Sequence, residues 1–496
     1  MKKNILILTT LLLSANAWAQ GELDAFRMSS TDLQGTARGQ AMGGAFGALG
    51  GDATSVAINP AGLGVYNSSE ISGSLAFSSV GIETPSLKNS KSKVYFDNIN
   101  YVGNYLLNDE QKLNFGFSFN RLKNFDRRYS GRGNWQAHSL TDFVANSSTR
   151  KGIPAGGANY NDDPWLSALF WDAYLINDIS SNEYEGMLDT ANGEKAQSHA
   201  DVSEKGYVES YNFSLGTNVS NKLYLGLTFS ITNMFYWLKS TYREDFEQGS
   251  GFYLDNYFET QGTGLQVNVG AIYRPTDWLR LGIAYHSPTV YTMTDYYQGY
   301  ALANWNPRDE EKQTPNGHTD YNFHTPQSWV FSVAGVLGSQ AVLSLDYEIK
   351  DFGQTRLYYS DGIAKEEANR DIQEAAKLTS TLRAGLEYRF TPQFSGRLGF
   401  SYAQNPYKDA FREGKLNYSD GALAPAIFGT VPHYTLEGDA TYLTAGIGYK
   451  FSPSTYLDAA FIYKTQKENL FYYPGTDPVA LKNNTMKAVI TLGYKY

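Results

Sequence analysis

Six histidines, His138, His199, His286, His318, His324 and His433, are the side chains of this sequence best suited to proton transfer or metal binding near neutral pH. None sits in an H-E-x-x-H or other spaced ligand motif, and none pairs with a serine in a hydrolase pattern. With no cysteine anywhere, thiolate nucleophiles, thiolate metal sites and disulfides drop out together. Asn161-Asp162-Asp163 offers oxygen ligands without the spacing of a calcium loop. The run from Gly43 to Gly51 is glycine-rich, as phosphate loops are, but lacks the closing Lys-Ser/Thr, the G-x-G-x-x-G spacing and a preceding strand. Asp346 and Glu348 alternate with Leu345 and Tyr347, the pattern of a polar lining on one face of a strand rather than of an acid–base dyad. Catalysis needs groups held in fixed mutual geometry. The reading is a protein without catalytic residues, metal or cofactor, and not an enzyme.

The elements that carry these residues read as strands. From Leu113 to Asn120, Leu113, Phe115, Phe117 and Phe119 share one face, and Asn114, Gly116, Ser118 and Asn120 the other. The last residues repeat the pattern, with Ala488, Ile490, Leu492, Tyr494 and Tyr496 on one side. The same alternation marks strands near 70–78, 97–107, 111–121, 207–217, 222–236, 263–273, 278–287, 327–337, 341–350, 379–390, 395–403, 441–451, 455–464 and 485–496. Fourteen is an even number, as closure of a bacterial membrane barrel requires, and most segments approach the roughly 9 to 11 residues of a tilted spanning strand. Every second connection is short and turn-rich, as at Ser220-Asn221, Thr391-Pro392 and Ser452-Pro453-Ser454. The others are long, the longest at about 122–206. Sorting of loop lengths by parity is the mark of short periplasmic turns and long external loops.

The amino terminus supplies an address. Lys2 and Lys3 precede an apolar stretch, Ile5 to Leu13, and Ala17-Trp18-Ala19 follows as an A-x-A cleavage site. Residues 1–19 are therefore expected to be a signal peptide, with the mature chain starting near Gln20. Its loss takes the formal charge from −9 to −11, a surplus that argues against a nucleic-acid partner. Mean hydropathy is −0.41, and no later apolar stretch approaches the roughly 18 residues of a spanning helix. Yet 15% of residues are aromatic, with 38 Tyr and 27 Phe. A 14-stranded antiparallel transmembrane β-barrel in the outer membrane, apolar on alternate positions and girdled by aromatics, reconciles the two. The clusters Tyr291 to Tyr300 and Phe471-Tyr472-Tyr473 are expected in the outer girdle.

Residues 20–68 do not fit the strand pattern. They contain Gly43, Gly44, Gly47, Gly50, Gly51, Gly62 and Gly64, and are too few to fold on a core of their own. The expectation is a plug inside the lumen of a barrel formed by 69–496, its small residues close to a wall in which Ser72, Ser74, Asn114 and Ser118 face inward. Several stretches here, Gly35-Thr36-Ala37-Arg38-Gly39, Met42-Gly43-Gly44-Ala45-Phe46-Gly47-Ala48-Leu49-Gly50-Gly51-Asp52 and Asn59-Pro60-Ala61-Gly62-Leu63, resemble the hatch of the FadL/TodX family. That family comprises outer-membrane transporters of long-chain fatty acids and other hydrophobic compounds, and Asn59-Pro60-Ala61 matches its short hatch motif.

The resemblance implies passive transport. Substrate is captured by external loops, passes to a site near the hatch, and leaves sideways through the wall at a kink in the third strand. Here that strand carries Gly116 between Phe115 and Phe117, and Gly116 reads equally as the kink or as a small residue facing the plug. Small hatch movements near Asn59 would release the substrate. Within the long external segment, Trp165, Phe170, Trp171 and Tyr174 lie in an apolar stretch that reads either as a capture surface or as the core of a folded cap. Expected partners are a hydrophobic small molecule, outer-membrane lipid and lipopolysaccharide, and the barrel assembly machinery, with the protein as a monomer. Energy-coupled transporters need about 22 strands and a larger plug. Two other readings stay open: a general porin for polar solutes, and a surface adhesion or ligand-binding barrel with haem among its ligands.

Overall fold

A computed structural model describes residues 22–496 except 86, 108–110, 162, 306–307, 339 and 414–428. The expected signal peptide, the 108–110 turn and part of Asn161-Asp162-Asp163 lie outside the described residues.

Fourteen antiparallel strands close into a barrel: β1 (Glu70–Glu83), β2 (Lys88–Leu106), β3 (Lys112–Asn124), β4 (Ala196–Val219), β5 (Leu223–Phe246), β6 (Gly251–Tyr273), β7 (Leu279–His286), β8 (Ser328–Leu337), β9 (Ala341–Asp351), β10 (Leu378–Arg389), β11 (Phe394–Ala403), β12 (Tyr434–Lys450), β13 (Thr455–Phe471) and β14 (Val479–Lys495). Each pairs with its neighbour, and β1 closes the circle by pairing with β14 from Glu70↔Lys495 to Glu83↔Lys482. Alternation decides which way each side chain points. On β5, Leu225, Leu227 and Phe229 face lipid while Thr228 and Ser230 are buried against the lumen. Ile490, Leu492, Tyr494 and Tyr496 are at least half exposed on the outer face of the closing strand. At the Ser220-Asn221 turn both residues have positive φ, 51° and 53°, the backbone of a type I′ hairpin that matches the twist of its strands.

Several strands exceed what a bilayer needs. β4 and β5 have 24 residues each and β6 has 23, against roughly 9 to 11 for a crossing. Their upper halves stand outside the membrane and are joined there by further strands, including Arg127–Gln136 on β4 and Val290–Trp305 on β6. β7 ends at His286, two residues before Pro288, whose missing N–H cannot continue a ladder.

The 122–206 segment is folded. A helix at Leu140–Lys151 starts with a Ser139/Asp142 capping box, and a second helix, Trp165–Asp172, packs beside it. The buried Glu244 carboxylate on the extended β5 accepts bonds from the Leu140 amide (3.0 Å) and the hydroxyls of Ser139 (2.5 Å) and Tyr242 (2.5 Å), fixing the first helix to the wall. The aromatic clusters differ from expectation. Phe471, Tyr472 and Tyr473 are at most 2% exposed, and Tyr291 and Tyr297 are buried with them in the core beneath this external cap, while Tyr296 of the same cluster is 44% exposed. Exposed Tyr388, Phe390, Tyr449, Phe451, Tyr494 and Tyr496 ring the opposite mouth instead.

Candidate functional site

The hatch is three short helices, α1 (Glu22–Ser29), α2 (Ala37–Ala41) and α3 (Ala53–Ile58), and a 3₁₀ turn, Pro60–Val65. Each start is fixed locally. Thr36 caps α2, Asp52 caps α3, and Thr36 donates to Asp52 at 2.8 Å, so one polar cluster ties two helix ends. Asn59 caps the 3₁₀ turn by accepting from the Ala61 amide at 3.1 Å, and its amide donates to the carbonyls of Gly47 (2.7 Å) and Ala271 (3.2 Å). The Asn59-Pro60-Ala61 motif is therefore a staple between the two halves of the hatch and β6. Gly47 in turn donates from its amide to Asp346 at 2.9 Å.

The wall receives the hatch in sockets of glycine. Gly216, Gly226 and Gly270 stand in register across β4, β5 and β6. A β-carbon on Gly226 would lie 2.1 Å from the Pro60 carbonyl carbon, and one on Gly270 1.9 Å from Asn59 Oδ1. Gly385 and Gly399 form a second registered pair on β10 and β11 and meet Met42 and Gly43. Of the residues expected to face the plug, Asn114 donates to the Leu63 carbonyl at 2.7 Å, whereas Ser72, Ser74 and Ser118 bond to side chains of the wall.

Ion pairs hold the same interface. Arg38 of α2 donates to Glu387 at 2.8 Å, Glu387 also takes Arg397 at 2.6 Å, and Arg397 reaches Asp458 at 2.5 Å. Above the hatch, α1 seats Phe26 edge-on against Phe352 and Tyr407. Beside it is a cavity of about 90 Å³ whose walls carry Arg121, Lys123, Arg127, Lys464 and Lys487 together with Asp32, Glu204 and Glu437. Most of these cations have a carboxylate: Lys487 has Asp97 (2.7 Å), Lys464 has Asp32 (2.9 Å) and Arg127 has Glu468 (2.7 Å). Lys123 donates to the Arg27 carbonyl (2.9 Å) and the Ser30 hydroxyl, and the Glu437 and Asp32 carboxylates act on it through space. A second chamber, of about 130 Å³, is lined by hydroxyls and amides, among them Ser210, Asn212, Thr228, Ser230, Thr232 and Asn268.

The barrel wall parts next to the charged cavity. β2 and β3 pair from Leu106↔Lys112 only as far as Asn98↔Asn120. Beyond that point β2 continues with β1 alone, after a bulge at Asp97, while β3 bulges at Leu122, which has no partner on β4 between Arg121↔Glu209 and Lys123↔Val208. Lys91 and Lys93 bridge to Asp126 at 3.0 and 2.6 Å at the outer end. Between, Arg121 lies over the rings of Tyr95 and Tyr207. From the inside, hatch residues Asp32 to Gly35 cross the parting: the Asp32 amide donates to the Leu122 carbonyl (2.9 Å), and Asn98 donates to the Gly35 carbonyl (2.5 Å).

The residues singled out in the sequence thus fall in different places. Gly116 is regularly paired with Val102 and Ser214, and a β-carbon there would touch Leu63 at an ordinary 3.4 Å, so it is the small residue facing the plug and not a kink. Phe115 packs on Tyr101 and Tyr105, and Phe117 on Phe213. The irregularity of β3 lies six residues further on, at Leu122, where no glycine or proline announces it. Asn59 sits at β5 and β6, away from the parting. Gly43, Gly44, Gly50 and Gly51 have positive φ and make the tight turns of the hatch. In the external segment Phe170 is fully buried against Phe252, Trp165 packs on Tyr160 and Tyr297, and Trp171 packs on Tyr184. Only Tyr174 is open, at 54% exposure, so the stretch is chiefly the core of a cap.

Residues 253–496 match the family model for outer membrane protein transport proteins (OMPP1/FadL/TodX). Among solved structures, the toluene transporter TodX of P. putida aligns with a TM-score of 0.53 at 14% identity, covering 94% of this chain and 99% of that one. The toluene transporter TbuX of Ralstonia pickettii gives 0.52 at 16% identity, and a FadL homologue of Pseudomonas aeruginosa 0.54 at 12%, each with the same 94% and 99% coverage. At these identities the likeness is one of fold. No curated protein matches the sequence.

Proposed function

We propose, on the match of residues 253–496 to the OMPP1/FadL/TodX family of outer membrane transport proteins, that the chain is a passive channel for hydrophobic compounds whose cargo is a long-chain fatty acid. The observation that carries this reading is a charged cavity, with more cations than carboxylates on its wall, that abuts a parting in the barrel wall. The second chamber, whose wall carries Glu348, Lys350 and Arg383 beside its hydroxyls and amides, is a polar path for an acyl chain. Outside the parting, Val94 and Phe96 on β2 are 66% and 59% exposed, an apolar surface continuous with lipid. In this reading cargo enters from outside, its carboxylate meets Lys123, and its chain leaves sideways between β2 and β3. Long external strands and the cap would gather cargo that lipopolysaccharide otherwise excludes. The route needs neither a catalytic step nor a cofactor, and a single barrel suffices, inserted after signal-peptide removal.

Magnitudes favour a local hatch movement over extraction of the whole plug. Each buried hydrogen bond broken without replacement costs about 1 to 3 kcal/mol. Clearing the lumen would break the Asn59, Gly47, Asn114 and Arg38 contacts together, whereas uncovering the parting needs only the segment near Asp32. A neutral aromatic hydrocarbon, the cargo named for TodX and TbuX, would add no anion to the Glu437 and Asp32 carboxylates that already act on Lys123. Replacing Lys123→Met is therefore expected to weaken binding of a long-chain fatty acid about ten- to a hundredfold, the equivalent of one hydrogen bond to a charged group, with little change for toluene. Equal loss for both ligands, or for neither, would remove the fatty-acid assignment.

A further inference from the structure

We propose that Asp32 is the positioning residue that holds the wall parting closed, acting as a clasp between β3 and β13. The inference rests on the lateral-release reading, but its geometry is separate from any ligand. Asp32 is bonded in two directions. Its amide donates to the carbonyl of Leu122, the bulged residue of β3 that no strand pairs on β4. Its carboxylate accepts from Lys464 of β13 at 2.9 Å and from the Tyr442 hydroxyl of β12 at 3.3 Å, on the far side of the cavity.

The other side of the parting is held differently. Gly35 presents its carbonyl to Asn98 and to Gln40, and Gln40 reaches the bulged Asp97, which Lys487 neutralises. Those contacts stay within the hatch and the continuous β14–β1–β2 wall. They can persist while the parting opens. The Asp32–Leu122 bond cannot, because it ties β3 to a residue whose carboxylate is held by β12 and β13 across the cavity. An amide hydrogen bond at a cavity edge is readily exchanged for water. The Lys464 ion pair is what keeps the Asp32 backbone in place. Next to it, Tyr95 of β2 lies under Arg121, Leu33 packs against the cluster that holds Ala37 and Tyr442, and both border the cavity into which the segment could swing.

The absence of native cysteine permits a clean test. A Leu33→Cys reporter, and separately Tyr95→Cys, would be placed in otherwise native protein in phospholipid vesicles and labelled with pyrene maleimide, which partitions into lipid. Resistance to unfolding in detergent until boiled would certify each barrel. Asp32→Asn and Lys464→Gln are each expected to raise the labelling rate about tenfold, the equivalent of losing one charge-assisted hydrogen bond. Asp32→Glu, which keeps a carboxylate among Lys464, Lys123 and Lys487, should stay near the wild-type rate, which a merely structural role would not require. Unchanged labelling in both single variants, with either reporter, would overturn the clasp. Asp32→Glu as reactive as Asp32→Asn would do the same. Fatty-acid uptake by the same variants separates the two ideas: raised labelling without any uptake keeps the clasp and removes lateral release.

Discussion

A β-carbon at Gly226 would stand 2.1 Å from the carbonyl carbon of Pro60, inside any tolerable contact. Gly226→Ala must therefore displace the 3₁₀ turn of the hatch while leaving the β5 ladder able to form. The expected outcome is a barrel that still resists detergent until boiled but shows raised ionic conductance in planar bilayers; native-like conductance would mean the socket is not a constraint. His433 makes a second prediction, outside the spanning strands. It is 5% exposed and neither ring nitrogen has a hydrogen-bond partner among the described residues. Burial pushes its imidazole down to about 4, with Glu204 opposing and Arg27 and Arg127 assisting. The folded form thus resists a proton that the unfolded chain accepts near 6.5. Stability from this group is complete above that value and is lost as pH falls towards 4. Protease nicking of the external segments should rise between pH 7 and 4.5, by up to about tenfold per unit, and His433→Phe should flatten the profile. The glycine sockets were hidden in the sequence for a physical reason. Gly216, Gly226 and Gly270 are single small residues in apolar strands, and only the register shows them to be one row. The hatch glycines were legible because they cluster in a segment with no strand period.

At the scale of elements, the external cap is a small domain with its own core. Phe170 fills it against Phe252, which packs in turn on Tyr242. Phe170→Ala should destabilise the cap by about 3 to 5 kcal/mol, as for other large buried rings. Limited proteolysis would then cut within 140–190 first while the barrel stays intact, and cap stability matching wild type would contradict the packing described. All fourteen barrel strands were readable from period-two alternation, because lipid and lumen impose opposite demands on adjacent side chains. Their lengths were not. Above the bilayer, outward positions such as Glu259 and Gln261 turn polar while inward positions stay buried. The contrast that defines a strand in lipid inverts there and reads as loop. The same inversion placed Phe471-Tyr472-Tyr473 in a girdle, since an aromatic cluster near a strand end looks alike whether it faces lipid or a cap. The break in β3 had no such excuse of composition: Leu122 is an ordinary strand residue, and its bulge follows from the partners available to it.

The whole molecule is a barrel closed below by a hatch and capped above by folded strands and helices, with its ladder parted, among the described residues, where β2 and β3 separate. A general porin would instead present a lumen through which ions pass steadily, which the ion pairs and glycine sockets oppose. An adhesive barrel would need its cap but not its parting. The measurement that discriminates most directly is uptake of a labelled long-chain fatty acid by cells lacking their own outer-membrane transporter, using the double variant Asp32→Cys/Leu122→Cys. The Asp32 amide and Leu122 carbonyl are 2.9 Å apart, so the two positions are close enough to test as a covalent lock. Wild-type protein should restore uptake, and the oxidised variant should lose it and regain it on reduction, at equal surface levels. Uptake indifferent to the lock, or absent despite a correctly inserted wild-type barrel, would contradict release of fatty acid through the wall at this point.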